Sequence, residues 1–303
     1  MIGAIPKQDC DGSHRPARGN EFRSPSSMAF KMALRELRDR LRMRSRVKTA
    51  AENLLCNSEG GYRSYLHFRY GARSPRGCPW PVRKNATLKC AAEVDQALHL
   101  VHELGLVPHP DLPKNWDALG AVGSVLAETD TSDWVLDAGG ELYSPVLPCL
   151  SLYGYRHLYA VNLSFKRHYK RGPINYRPGD LLQTEFSDGA FGAVSCLSVI
   201  EHGVNLEDYF KEMARVLRPG GILVTSTDYW PDTIDTRGAT AYGAPVKIFN
   251  EQQIISMSEL SRHYGFEPAG PSDLTAQEKV VTWKRLALAF TFIFLCFRKG
   301  KGK

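Results

Sequence analysis

Residues 134 to 142 read Trp-Val-Leu-Asp-Ala-Gly-Gly-Glu-Leu, an apolar run that ends in Asp137 and opens into Gly139-Gly140. Apolar residues in an unbroken run bounded by glycines read as a buried strand, and paired glycines after it let the backbone turn sharply and approach a ligand. The stretch therefore predicts a strand feeding a nucleotide-binding turn. Downstream, Leu158-Tyr-Ala-Val-Asn162 reads as a second strand, and a third short apolar segment leads into Pro178-Gly-Asp180. Phe191-Gly-Ala-Val-Ser-Cys-Leu-Ser198 is a fourth, followed by Val199-Ile-Glu-His202, and Leu217-Arg-Pro-Gly-Gly221 introduces a fifth.

Strands that alternate with helical stretches argue for a parallel sheet, because parallel strands need crossover connections. The series is similar to the class I S-adenosylmethionine (SAM)-dependent methyltransferases, specifically the group reading D-x-G-x-G, an acid after strand two, G-D, E-H and L-x-P-G-G in that order. The resemblance covers residues 115 to 299. It implies an α/β fold: a doubly wound, mainly parallel, seven-stranded Rossmann-like sheet with an amino-terminal helical extension. Residues 1–112 would be the basic tail and extension or lid, and residues 113–303 the SAM-binding domain.

In open α/β sheets ligands bind at the carboxyl ends of the strands, so the resemblance carries over onto residues just after each one. Gly139 and Gly140 would hold the methionine portion of SAM, with Asp137 orienting the turn. Asn162 would face the ribose, Asp180 would accept from the adenine amino group, and Leu181 would pack on the ring. Ser198 would close the cofactor site. Two positions depart from the pattern: Glu141 stands where the second glycine is expected, and Asn162 where an acid is expected. An amide can accept from one hydroxyl and donate to the other oxygen, but without charge assistance.

His202 is the expected general base, because an imidazole titrates near neutral pH. In the same family the residue also serves only to orient cofactor or substrate, and the sequence leaves both roles open. Asp228 and Tyr229, in Thr225-Ser-Thr-Asp-Tyr-Trp230, are the other catalytic candidates. The loop beyond, with Asp232, Asp235, Arg237 and Tyr242, reads as substrate-binding material, Arg237 pairing with a substrate anion.

A formal charge of +7 permits an acidic partner without choosing one. Seven cysteines, odd in number and lacking a C-x-x-C pair, suggest neither a disulfide framework nor a zinc site, and imply a reducing cytoplasm. No metal site is expected; His99 and His102 share a helix face at most. The amino terminus has no signal-peptide core, and the apolar run from Leu286 to Phe297 is too short to cross a bilayer. It reads as a buried strand pairing antiparallel with Lys279 to Trp283.

Residues 1–27 read as a peripheral tail, and Phe30, Leu34, Leu37 and Leu41 recur at helical spacing among basic residues. That basic amphipathic helix could pack on the domain, contact a membrane surface or polyanion, or wall the substrate site. Gly60 to Tyr70 interleaves Arg with aromatics and reads as an ordered lid or capping segment. Helices are predicted over 86–104 and from Asn115, as N-cap, through Leu126. The acceptor is expected to be a small or carbohydrate-like molecule methylated on oxygen, and nucleic acid is not the expected partner. Two alternatives stand: a SAM-consuming enzyme that releases methylthioadenosine, and a degenerate module of this fold that binds a polyanion.

Overall fold

The computed structural model describes residues 52, 54–241 and 243–301. The expected tail, the basic helix from Phe30 and loop residue Tyr242 lie outside the described residues. Residues 52–303 cluster as one compact unit.

Helix α1 (Glu59–Tyr70) precedes the short strand β1 (Ala86–Thr87), α2 (Ala91–Glu103) and α3 (Lys114–Glu128). Then come β2 (Trp134–Ala138), α4 (Val146–Leu152), β3 (His157–Asn162), β4 (Tyr169–Arg171), β5 (Ile174–Pro178) and β6 (Phe191–Leu197). They are followed by α5 (Leu206–Val216), β7 (Leu217–Tyr229), the hairpin β8 (Thr240–Ala241) and β9 (Ala244–Pro245), and α6 (Glu251–His263). The chain closes with β10 (Phe266–Pro268), β11 (Val281–Trp283) and β12 (Leu288–Lys299).

The main sheet runs β1-β12-β7-β6-β2-β3-β5-β4, with β10 and β11 both pairing β12. Strands β5, β3, β2, β6 and β7 are mutually parallel, and β12 is antiparallel to β7. Side chains alternate in facing: Val135, Leu158, Val224 and Phe294 share one core with α3 and α4, while Leu136, Tyr159, Leu223 and Ile293 share the other with α5 and α6. Both faces being covered explains why these strands read as continuous apolar runs and not as alternating ones. The carboxyl-terminal run is such a strand, with Phe290 to Phe297 buried throughout.

Several expectations are corrected. The sheet has ten strands instead of seven, because β1, β4 and β11 add short edge pairings. The predicted pairing of 279–283 with the last strand exists as β11 against Leu288 to Phe290. The far end of β12 is instead paired by β10, which has only three residues and gives little periodic signal. The helix predicted from 86 begins at Ala91, since Ala86 and Thr87 pair with Phe294 and Ile293.

Asn115 lies inside α3, buried, and does not cap it. Its side-chain nitrogen donates to the carbonyls of His109 and Leu112 at 3.2 and 3.0 Å, and its oxygen accepts from the His109 amide at 2.8 Å. Residue 115 thus shapes the loop entering α3. Helix α1 is well formed, capped by Ser58 and by Gly71 in the left-handed region. It packs on the turn between β4 and β5, where the Gly172 amide donates to Cys56 O at 2.6 Å and a side chain at 172 would meet Tyr62. That turn precedes β5, so α1 covers the amino-terminal end of the parallel strands, whereas a lid would lie over their carboxyl ends.

Candidate active site

The turn after β2 shows why its two glycines are adjacent. Gly139 has φ of 81°, and a side chain there would lie 2.6 Å from the Val199 methyl. At Gly140 a Cβ would lie 2.1 Å from Asp137 Oδ2. Asp137 is buried beneath the turn, accepting from Ser195 Oγ at 2.8 Å and Ser144 Oγ at 2.7 Å. Burial pushes its carboxyl above the usual range, against the lowering effect of those two donors. Asp137 therefore orients the turn from below.

Asn162 ends β3. Its side-chain nitrogen donates to Gly139 O at 2.7 Å and its oxygen accepts from Ser164 N at 2.8 Å, so both halves of the amide are used within the protein. Glu141 reaches across to the same place, its Oε1 accepting from Ser164 Oγ at 2.9 Å. Asp180 is exposed after β5; one oxygen accepts from Leu182 N at 2.9 Å, and among the described residues nothing donates to the other. Leu181 is half-buried against the α5–α6 core.

Ser198 follows β6 with φ of 51°, a left-handed conformation that costs a non-glycine residue energy and clusters at functional sites. Its hydroxyl accepts from the Lys114 ammonium. Lys114 opens α3, 3.6 Å from Asp117 Oδ2 and 3.5 Å above the Phe292 ring. A cation at a helix amino terminus opposes the helix dipole, so carboxylates nearby are needed to hold it. Three are present: Asp117, Glu201 and Asp228, all at most 2% exposed. Ser226 Oγ donates to Asp117 at 2.6 Å and Thr227 Oγ1 to Glu201 at 3.2 Å, while Asp117 Oδ1 and Asp228 Oδ2 have no hydrogen-bond partner among the described residues. One ammonium cannot neutralise three buried carboxylates. Accordingly burial raises Glu201 to about 7, with Lys114 opposing, and burial together with the charge of Glu201 raises Asp228 well above its usual range.

His202 is half-buried beside this group, and burial followed by the Lys114 charge lowers its imidazole below 6.5. It is therefore neutral at pH 7 and able to take a proton. Of the other candidates, Asp228 joins the cluster but Tyr229 does not: its ring is in the core and its hydroxyl donates to Leu274 O at 2.7 Å. Arg237 is spent on Asp235, 2.7 Å away on the exposed loop. Among the described residues no group of metal-ligating side chains forms.

Lys114, Asp117 and Glu201 escaped the sequence reading. The available signals were a lysine at the first position of a helix and the acid of the Glu-His pair itself. A cavity of about 140 Å³ between α2 and α3 is lined by Trp80, Leu100, Trp116 and Phe294.

A family model described as a methyltransferase domain matches residues 138–225, the span from the last residue of β2 into β7. Residues 138–225 of this chain thus carry a methyltransferase domain. The methyltransferase domain is 27% identical over 119 residues to the sterol 24-C-methyltransferase of Yarrowia lipolytica, covering 36% of this chain and 30% of that one. It is also 27% identical over 116 residues to the sterol 24-C-methyltransferase erg6 of Aspergillus fumigatus, covering 36% and 31%. The chain thus spans about a third of the length of the curated relatives it matches. The solved structure of the 4+2 cyclase SpnF superimposes with a TM-score of 0.50 at 16% identity, covering 69% of this chain and 94% of that one, which shows the shared fold. No described helix is long and apolar enough to cross a membrane.

Proposed function

We propose that this chain transfers a methyl group from SAM to a hydroxyl oxygen of a small-molecule or carbohydrate-like acceptor, in the cytoplasm. The observation that carries the reading is the half-buried His202 in the turn after β6, a turn whose Val199 packs against Gly139, with burial and the Lys114 charge lowering its imidazole pKa. The residues present suit the cofactor: a close backbone at Gly139-Gly140, a buried Asp137 fixing it, an exposed Asp180 oxygen without a donor among the described residues, and the half-buried Leu181. When bound, SAM supplies an electrophilic methyl carbon on a sulfonium. His202 would take the acceptor's O–H proton as the oxygen–carbon bond forms and S-adenosylhomocysteine departs. Burial, with the charge of Lys114 held by Asp117, Glu201 and Asp228, favours the deprotonated imidazole that the transfer needs.

A second reading, methylation at carbon, is supported by the names of the two relatives, both sterol 24-C-methyltransferases. Incubation with SAM carrying a ¹³C methyl group and a panel of saccharides, phenols and sterols separates the readings. An O-¹³CH₃ product with S-adenosylhomocysteine is expected; a C-methylated product selects the second reading, and methylthioadenosine formed without acceptor sinks both. His202→Gln should lower kcat roughly 10²- to 10⁴-fold while S-adenosylhomocysteine affinity stays the same. Unchanged turnover would remove His202 from the role of base.

A further inference from the structure

We propose, building on the reading of this domain as a SAM-binding methyltransferase, that Glu141, from the loop after β2, receives the ribose hydroxyls of the cofactor in place of a residue at the end of β3. A ribose diol presents two O–H donors, and a carboxylate accepts both with charge assistance. The residue at the end of β3 cannot do this, because it is Asn162 and its amide is already committed. Its nitrogen donates to Gly139 O and its oxygen accepts from Ser164 N.

The missing carboxylate arrives from the neighbouring loop. Glu141 Oε1 lies 2.9 Å from Ser164 Oγ and 3.4 Å from Asn162 Nδ2, so the acid stands over residues 162 to 164 although it belongs to the turn after β2. Among the described residues nothing donates to its second oxygen, and the side chain is half-buried, neither sealed in the core nor free in solvent. Two departures that look independent in the sequence, an acid in the glycine turn and an amide after β3, become one exchange. The carboxylate has changed strands and kept its place. Asn162 then holds the Gly139 carbonyl and Ser164 holds the Glu141 carboxylate, so the turn under the methionine portion and the ribose contact are tied together.

Titration calorimetry with S-adenosylhomocysteine and its 3′-deoxyadenosyl analogue tests this on the full chain. Glu141→Gln keeps the shape and an acceptor for Ser164, and should weaken S-adenosylhomocysteine binding roughly 10- to 100-fold. It should weaken the deoxy analogue much less, and the wild-type protein should itself bind the analogue at least several-fold more weakly. Equal losses for both ligands, or S-adenosylhomocysteine binding by the variant within twofold of wild type, would overturn the ribose role while leaving the cofactor reading intact. Wild-type protein that binds the analogue as tightly as S-adenosylhomocysteine overturns it without any variant. If wild type binds neither ligand, the cofactor reading itself fails and the ribose assignment goes with it.

Discussion

The strand-end rim divides into two halves built on opposite principles. Around β2, β3 and β5 the polar groups above the buried Asp137 are exposed or half-exposed and locally bonded: Asn162 to Ser164 two residues on, Asp180 to Leu182 two residues on, and Glu141 to Ser164 on the adjacent loop. Around β6 and β7 they are sealed, and they come from α3, the turn after β6 and the end of β7, with Ser226 and Asp117 bonded across 109 residues of sequence. The first half can exchange water for a ligand at little cost to the fold. In the second, charges out of water depend on one another, so a change there is felt in stability as well as in chemistry.

The strongest test of this contrast is Lys114→Met, which keeps the stem over Phe292 and removes the ammonium set beside the three buried acids. Stripping one partner from a buried charge group costs about 3–5 kcal/mol. Urea unfolding at pH 7.5 should show a loss of that order, shrinking toward pH 5 as the carboxylates take up protons. Glu141→Gln in the open half should stay within about 0.5 kcal/mol of wild type, as surface changes usually do. Equal effects from the two variants would erase the distinction.

A second test uses Glu201. Its folded pKa of about 7 lies above the 4.5 of an ordinary glutamate, so the folded state binds its proton more tightly than the unfolded chain. The associated stability is complete below pH 4.5 and is lost as pH rises toward 7. Glu201→Gln removes that titration and should be more stable than wild type at pH 8 by about 3 kcal/mol, with the advantage fading toward pH 4.5. A constant difference between the two proteins from pH 4.5 to 8 would place Glu201 outside the coupled group.

The same division explains what could be read from the chain alone. The Asp137-to-Gly140 turn, the Asn162 position and the Gly-Asp180 turn announce themselves because each is a feature of a few consecutive residues at a strand end. The alternating cores of β2, β3, β6 and β7 follow from apolar runs. Lys114 and Asp117 could not be read in this way, because what brings them into the cluster is contact with residues 84 and 109 positions away, which no local period encodes. Tyr229 misled for the converse reason: it adjoins Asp228 in sequence, yet successive strand residues face opposite sides, and its hydroxyl goes to Leu274. Strand β10, with three residues, owes its existence to the exposed edge of β12.

The smallest expected effect sharpens the open half. Asp180 is exposed and makes one bond within its own turn, to Leu182 N, so Asp180→Ala should change stability by no more than about 1 kcal/mol. If its other oxygen accepts from the adenine amino group, S-adenosylhomocysteine affinity should fall about tenfold, worth about 1.4 kcal/mol. Replacing the adenine by hypoxanthine, which lacks that amino group, should cost wild type a similar factor and the alanine variant almost nothing further. A variant that loses stability and affinity in step would instead mean that the turn needs Asp180 for its own shape, and the open half would then resemble the sealed one.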